Sequence, residues 1–144
     1  VQDNQSKSYY GVLRGIHYQI NPMPQSKLIR CIKGEIFDIA VDIRRNSKTF
    51  GKWAGTILSK ENMKQFWIPK GFAHGFLTLS KTAEVLYKTN NYWNQDLERT
   101  IKWDDEMLSI KWPIEKLNGI SPILSKKDRE GSNLKDLITK NEVF

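Results

Sequence analysis

From Phe37 to Arg44 the side chains alternate. Phe37, Ile39, Val41 and Ile43 would point one way along an extended chain, and Asp38, Ala40, Asp42 and Arg44 the other. A helix would scatter these residues around its circumference, whereas a strand gathers each set on one face. Leu28 to Ile32 is also strand-like, and Lys33-Gly34-Glu35 reads as the tight turn between the two, with Gly34 free to take positive φ. Thr56 to Leu58, Gln65 to Ile68, Phe72 to Leu79 and Glu84 to Thr89 are further short strands. Turn signals separate them at Asn46-Ser47-Lys48, Ser59 to Asn62, Pro69-Lys70-Gly71 and Ser80-Lys81. Many short strands with regular turns predict an all-β sandwich or barrel.

Helical signals are few. Ser59 to Asn62 is a candidate single turn, and Asn133 is placed to cap a short C-terminal helix holding Leu134, Leu137 and Ile138. With 144 residues, no repeat and no linker, the chain reads as one domain, 1–144. A membrane helix needs about 20 apolar residues, and the longest apolar runs here are a few residues. Cys31 is the only cysteine, so no intrachain disulfide forms; it is expected to fill the core in a reducing, cytoplasmic setting. The formal charge of +7 favours anionic partners. The lysines are scattered, with no basic stripe or module for nucleic acid.

Two histidines carry the chemistry of interest. His17 closes Gly11-Val12-Leu13-Arg14-Gly15-Ile16-His17, and His74 closes Pro69-Lys70-Gly71-Phe72-Ala73-His74. The second fits Pro-x-Gly-x-x-His and resembles the cupin superfamily, in which a turn feeds a strand that aims its histidine into a barrel. Metal-binding cupins add a His-x-His pair, but here Tyr18 and Gln19 follow His17. No metal is therefore expected, although two histidines and a carboxylate can hold one facially. Without a metal both imidazoles are available for proton chemistry near neutral pH. A lone histidine is more often a packed core residue, but two of them in Gly-flanked strands, with basic and phenolic residues nearby, shift the balance toward function.

The blocks from Val1-Gln2-Asp3-Asn4 through Gly11 to Gln19, Lys27 to Arg30, Lys33 to Arg44, Thr49-Phe50-Gly51, Trp67 to Leu79, Thr82 to Lys88, Glu98 to Trp103 and Ser125 to Asp128 together resemble the dTDP-4-dehydrorhamnose 3,5-epimerase family. The resemblance implies a cupin-type antiparallel β-barrel or jelly roll, a homodimer paired by strand exchange, and no cofactor. The implied substrate is a nucleoside diphosphate sugar, with a thymidine nucleotide expected. The family's Val-Leu-Arg-Gly-x-His motif puts the catalytic base at His17, and its late Leu-Ser-x-Lys-Asp motif puts the partner of that base at Asp128. The proton donor falls on Tyr87, with Lys27 and His74 beside the reacting centre. Substrate contacts fall on Gln2, Asn4, Arg14, Glu98 and Lys127. Family members carry a strand region ahead of the Gln-Asp-Asn stretch, with an Arg and a Glu that help hold the nucleotide. We expect that segment to be missing or removed here.

The implied reaction inverts C3 and C5 of a dTDP-4-keto-6-deoxyhexose through an enolate, giving dTDP-4-keto-L-rhamnose. It needs a neutral base with its second nitrogen held by a carboxylate, donors aimed at the enolate oxygen, and a weak acid on the opposite face. Arg14 suits a diphosphate oxygen. It stands three residues from His17, so a regular strand would put the two on opposite faces, and a bulge at Gly15 is required to bring them together. Tyr92 and Trp93 are candidates to stack on base or sugar, or are loop-core residues. Three other readings stay open: a mono-epimerase acting at C3 or C5 only, a non-catalytic sugar-nucleotide-binding cupin, and a metal-dependent cupin oxygenase.

Overall fold

Nine strands build two antiparallel sheets that face each other as a jelly roll in the computed structural model, which describes residues 1–144. In chain order they are β1 (Gln2–Tyr9), β2 (Leu13–Gln19), β3 (Lys27–Lys33), β4 (Glu35–Asp42), β5 (Trp53–Ser59), β6 (Gln65–Ile68), β7 (Phe72–Thr78), β8 (Thr82–Thr89) and β9 (Glu98–Thr100). One sheet runs β1-β8-β3-β6 and the other β5-β4-β7-β2-β9. Two short helices follow, α1 (Lys126–Arg129) and α2 (Leu134–Thr139). The all-β architecture and the short C-terminal helix are as the sequence predicts. Ser59 to Asn62 forms a turn, closed by reciprocal bonds between the Ser59 and Asn62 side chains and backbones, and not a helical turn.

The turn at Gly34 has φ of +71°, and a Cβ there would run into the Thr82 carbonyl oxygen. The corner at which the chain passes from β3 in one sheet to β4 in the other therefore needs glycine.

Alternation in β4 does not divide core from solvent. Ile39 and Val41, with Phe37 packed against them, join a cluster with Leu13, Ile16, Leu134 and Leu137, under the C-terminal segment. Ile36 and Ala40 join a second cluster between the sheets, with Ile29, Leu58, Ile68, Phe76 and Val85. Both faces are buried, so Asp38 and Asp42 on the inner face are buried too. Each fully buried Ile or Leu contributes about 1.5–3 kcal/mol. Cys31 is a buried free thiol within the second cluster.

The segment after β9 is stitched to the five-stranded sheet at several points. Ile123 N–H donates to Gly11 and Leu13 N–H to Ile123; Ser132 N–H donates to Thr100 and Lys102 N–H to Ser132; Phe144 N–H donates to Ile43. These fix both flanks of α1 and so aim it at β2. No helix is long and apolar enough to cross a membrane.

Candidate active site

Between the sheets, bordering the inter-sheet apolar cluster at Phe76 and Tyr87, lies a cavity of ≈ 330 Å³. β1 lines it with Gln2, Asn4 and Ser6, which alternate with exposed residues along that strand. β2 contributes Arg14 and His17, β3 Lys27, β7 His74 and Phe76, β8 Tyr87, β9 Glu98 and α1 Lys127. Gln25 and Trp93 come from loops.

Arg14 and His17 reach one cavity because β2 is bulged. Arg14 pairs with Phe76 and His17 with His74, so three steps on β2 match two on β7. Gly15 sits inside the bulge with φ of +109°, and a Cβ there would stand 2.6 Å from the His74 carbonyl oxygen. Only glycine fits so close an approach at that backbone angle.

His17 Nε2 lies 2.5 Å from Asp128 Oδ1, across 111 positions of sequence. Asp128 also accepts Gly15 N–H at 3.3 Å and the Ser125 hydroxyl at 2.7 Å, and Ser125 in turn accepts Asp128 N–H as the N-cap of α1. Burial opposes the charge on Asp128, but the bond from His17 and those from Ser125 and Gly15 hold its pKa below the ordinary carboxylate value. The carboxylate only accepts, so Nε2 carries the hydrogen and Nδ1 keeps the lone pair. Burial lowers the His17 pKa and outweighs the opposing pull of Asp128, with Lys127 and Lys27 adding to the fall. The ring is neutral at pH 7.

A second pair stands beside it. His74 Nε2 is 3.0 Å from both oxygens of Asp38. Burial pushes the Asp38 carboxyl up, while His74 and Lys27 pull it back. Lys27 is brought down to about 8 by burial, against the pull of Glu98 and Asp38. Burial raises the Tyr87 phenol above its ordinary value, with Arg14 opposing, so it stays protonated. Arg14 is anchored through Nε to the Ser8 hydroxyl at 2.9 Å and through Nη2 to the Lys7 carbonyl. Glu98 and Lys127 form an ion pair of 2.8 Å across the mouth. Gln2 donates to Asn4 at 2.8 Å and accepts Trp93 N–H at 2.7 Å, which ties the loop to β1.

The cavity therefore gathers Gln2, Asn4, Arg14, His17, Lys27, His74, Tyr87, Glu98 and Lys127, with Asp128 behind His17. Tyr92 is the exception. Its ring is exposed, away from the cavity, and only its carbonyl is engaged, by Gln19 Nε2; the neighbouring Trp93 lines the rim in its place. Asp38, Ser6, Gln25 and Phe76 escape the sequence reading. An aspartate inside the β4 run was a signal for Asp38, since a buried carboxylate requires a partner. No three His, Cys, Asp or Glu side chains converge as a metal ligand set. The arrangement can remove a proton from carbon, hold an oxyanion and return a proton.

The sequence profile of the dTDP-4-dehydrorhamnose 3,5-epimerase family matches residues 1–136. The chain is 55% identical over 136 residues to the dTDP-4-dehydrorhamnose 3,5-epimerase of Shigella flexneri, covering 94% of this chain and 72% of that one. Its fold is similar to the crystal structure of the dTDP-6-deoxy-D-glucose-3,5-epimerase of Legionella pneumophila in complex with dTDP-4-keto-L-rhamnose. That match has a TM-score of 0.92 at 49% identity, covering 99% of this chain and 73% of that one. A 3'-monoepimerase of Streptomyces bikiniensis in complex with dTDP-quinovose also matches, with a TM-score of 0.90 at 30% identity, over 99% and 70% of the two chains.

Proposed function

The chain belongs to the dTDP-4-dehydrorhamnose 3,5-epimerase family, and from that premise we propose that His17 and Tyr87 work as base and acid on opposite faces of its sugar. The protein is an isomerase that inverts C3 and C5 of a dTDP-4-keto-6-deoxyhexose to give dTDP-4-keto-L-rhamnose. The observation that carries the residue roles is the 2.5 Å bond between His17 and Asp128 at the wall of the cavity that Tyr87 also lines.

The ketone acidifies the hydrogens on both neighbouring carbons. His17 Nδ1 takes one such proton, and the C–H electron pair moves into the C–C bond as the ketone oxygen becomes an enolate oxygen. Asp128 steadies the imidazolium that forms. The Lys27 ammonium holds the enolate oxygen; a preorganised donor of this kind is worth roughly 3–4 kcal/mol of barrier. Tyr87 then delivers a proton to the other face, and the configuration inverts. Solvent restores both groups before the second carbon reacts. Arg14, already braced by Ser8, holds the diphosphate, with Lys127 freed from Glu98 as the substrate enters. Gln2 and Asn4 position the nucleotide.

The protein works as a homodimer, a reading supported by the open sheet edges at β5 and β6. A lone buried cysteine and a nucleotide-sugar substrate suit the cytoplasm.

The test is NMR of a dTDP-4-keto-6-deoxyglucose incubated with the protein in heavy water. Deuterium enters at C3 and at C5. His17→Ala abolishes uptake at both, and full activity of that variant would remove His17 from the role. Tyr87→Phe keeps exchange but loses inversion. Uptake at one carbon alone would make the enzyme a mono-epimerase, the activity named for the Streptomyces bikiniensis relative at 30% identity.

A further inference from the structure

The space between the sheets is divided into two chemically different halves. One half is filled by the apolar cluster around Ile29, Ile36, Leu58 and Val85; the other is the polar cavity. Phe76 belongs to both. It is 4% exposed, it packs in the apolar cluster, and it lines the cavity. It is thus the apolar floor of a pocket whose other walls are mostly polar or charged.

The remaining hydrophobic walls are spoken for. Tyr87 holds the acid, and Trp93 sits half-exposed at the rim beside Gln2. Phe76 stands two residues from His74 on the same face of β7, with ring centroids 6.2 Å apart, and directly opposite Arg14 and Asp38 in the sheet. The floor therefore adjoins the reacting groups.

The substrate carries one apolar group on its pyranose ring, the C6 methyl. That methyl is bonded to C5, one of the two carbons that must reach His17, so it travels into the cavity with the reacting centre. We propose that Phe76 is the seat of the C6 methyl and thereby selects a 6-deoxy sugar over its 6-hydroxy counterpart; the inference rests on the function proposed above. On the phenyl face a methyl loses water at no cost, whereas a hydroxyl gives up its hydrogen bonds to water and finds no partner there. An apolar wall of this kind discriminates an added hydroxyl by about 10- to 100-fold.

Two stable esters test the selection. dTDP-quinovose (6-deoxy) and dTDP-glucose (6-hydroxy) differ at C6 alone. Calorimetry on the wild-type chain should give binding of the first about 10- to 100-fold tighter. In Phe76→Ser the preference falls toward parity, because the hydroxyl gains a partner and the methyl loses its wall. Phe76→Leu keeps the apolar floor but removes the ring. In the wild type, the methyl protons of bound dTDP-quinovose should resonate upfield of the free ligand, and in Phe76→Leu that shift disappears. The Leu arm decides alone if the Ser variant does not fold. Equal wild-type affinities, or a shift that persists in Phe76→Leu, would overturn the inference. Failure of the wild type to bind either ester would instead sink the function itself.

Discussion

A proton leaves carbon only to a base that is uncharged when the substrate arrives. Burial of His17 lowers its pKa below 6.5, while Lys27 loses its charge at about 8. The base must be deprotonated and the enolate donor protonated, so kcat/KM should fall on the acid side below 6.5 and on the basic side near 8. Tyr87 is raised above the ordinary phenol value and does not set the basic limb. A pH–rate profile of Lys27→Arg should keep the acid limb and move the basic limb upward, since guanidinium does not titrate in this range. Lys27→Met should lower kcat by about 10²–10³; an unchanged basic limb in either variant would assign that limb elsewhere. Lys27, Tyr87 and Asp128 entered only through the family motifs, whereas His17 also stood out as one of two histidines in Gly-punctuated stretches. Nothing local marks Asp128 as a partner of a residue 111 positions away, because the C-terminal segment has to fold back across the sheet to join them. Asp38 was hidden by its own strand. Period-two alternation separates two faces but cannot tell a polar face in water from a polar face in an active site.

At the scale of elements the same limit explains β1. Its run Gln2 to Tyr9 has almost no apolar alternation, because the inward set Gln2, Asn4 and Ser6 faces a polar cavity instead of a core. β2 was legible as a strand, and its bulge was required as soon as Arg14 and His17 had to share a site. α2 was legible in position but not in its cap. Asn133 occupies the N-cap position and its side chain makes no capping bond; Leu134 N–H donates instead to Asp105 Oδ2 at 2.8 Å, while Asp105 Oδ1 accepts Leu108 N–H at 3.1 Å. One buried carboxylate thus closes a turn and caps a helix nearly thirty residues later. Asp105→Ala should cost about 2 kcal/mol by urea denaturation, with both amides left unpaired, and Asn133→Ala only a few tenths. The reverse ranking would return the capping role to Asn133.

In the whole molecule, each sheet ends on strands that have no further neighbour, among them β5 and β6. Between these two edges runs a groove of ≈ 300 Å³ lined by Trp53, Phe66, Trp67 and Phe72. Trp67 is 57% exposed there. Unpaired backbone beside exposed aromatic surface is the kind of face on which a second chain can dock. The two edge strands could be read from the sequence, β5 in part as Thr56 to Leu58 and β6 as Gln65 to Ile68, but this groove could not. It exists because β6 ends one sheet and β5 the other, and sheet order depends on pairings between residues far apart in the chain. If the groove is where two copies meet, sedimentation equilibrium should give twice the 16.8 kDa chain mass. Trp67→Glu, which sets a charge into the apolar contact, should shift the population to the single chain while the circular dichroism of the sheets stays unchanged. A Trp67→Glu protein that sediments as the wild type does would place the contact on another face.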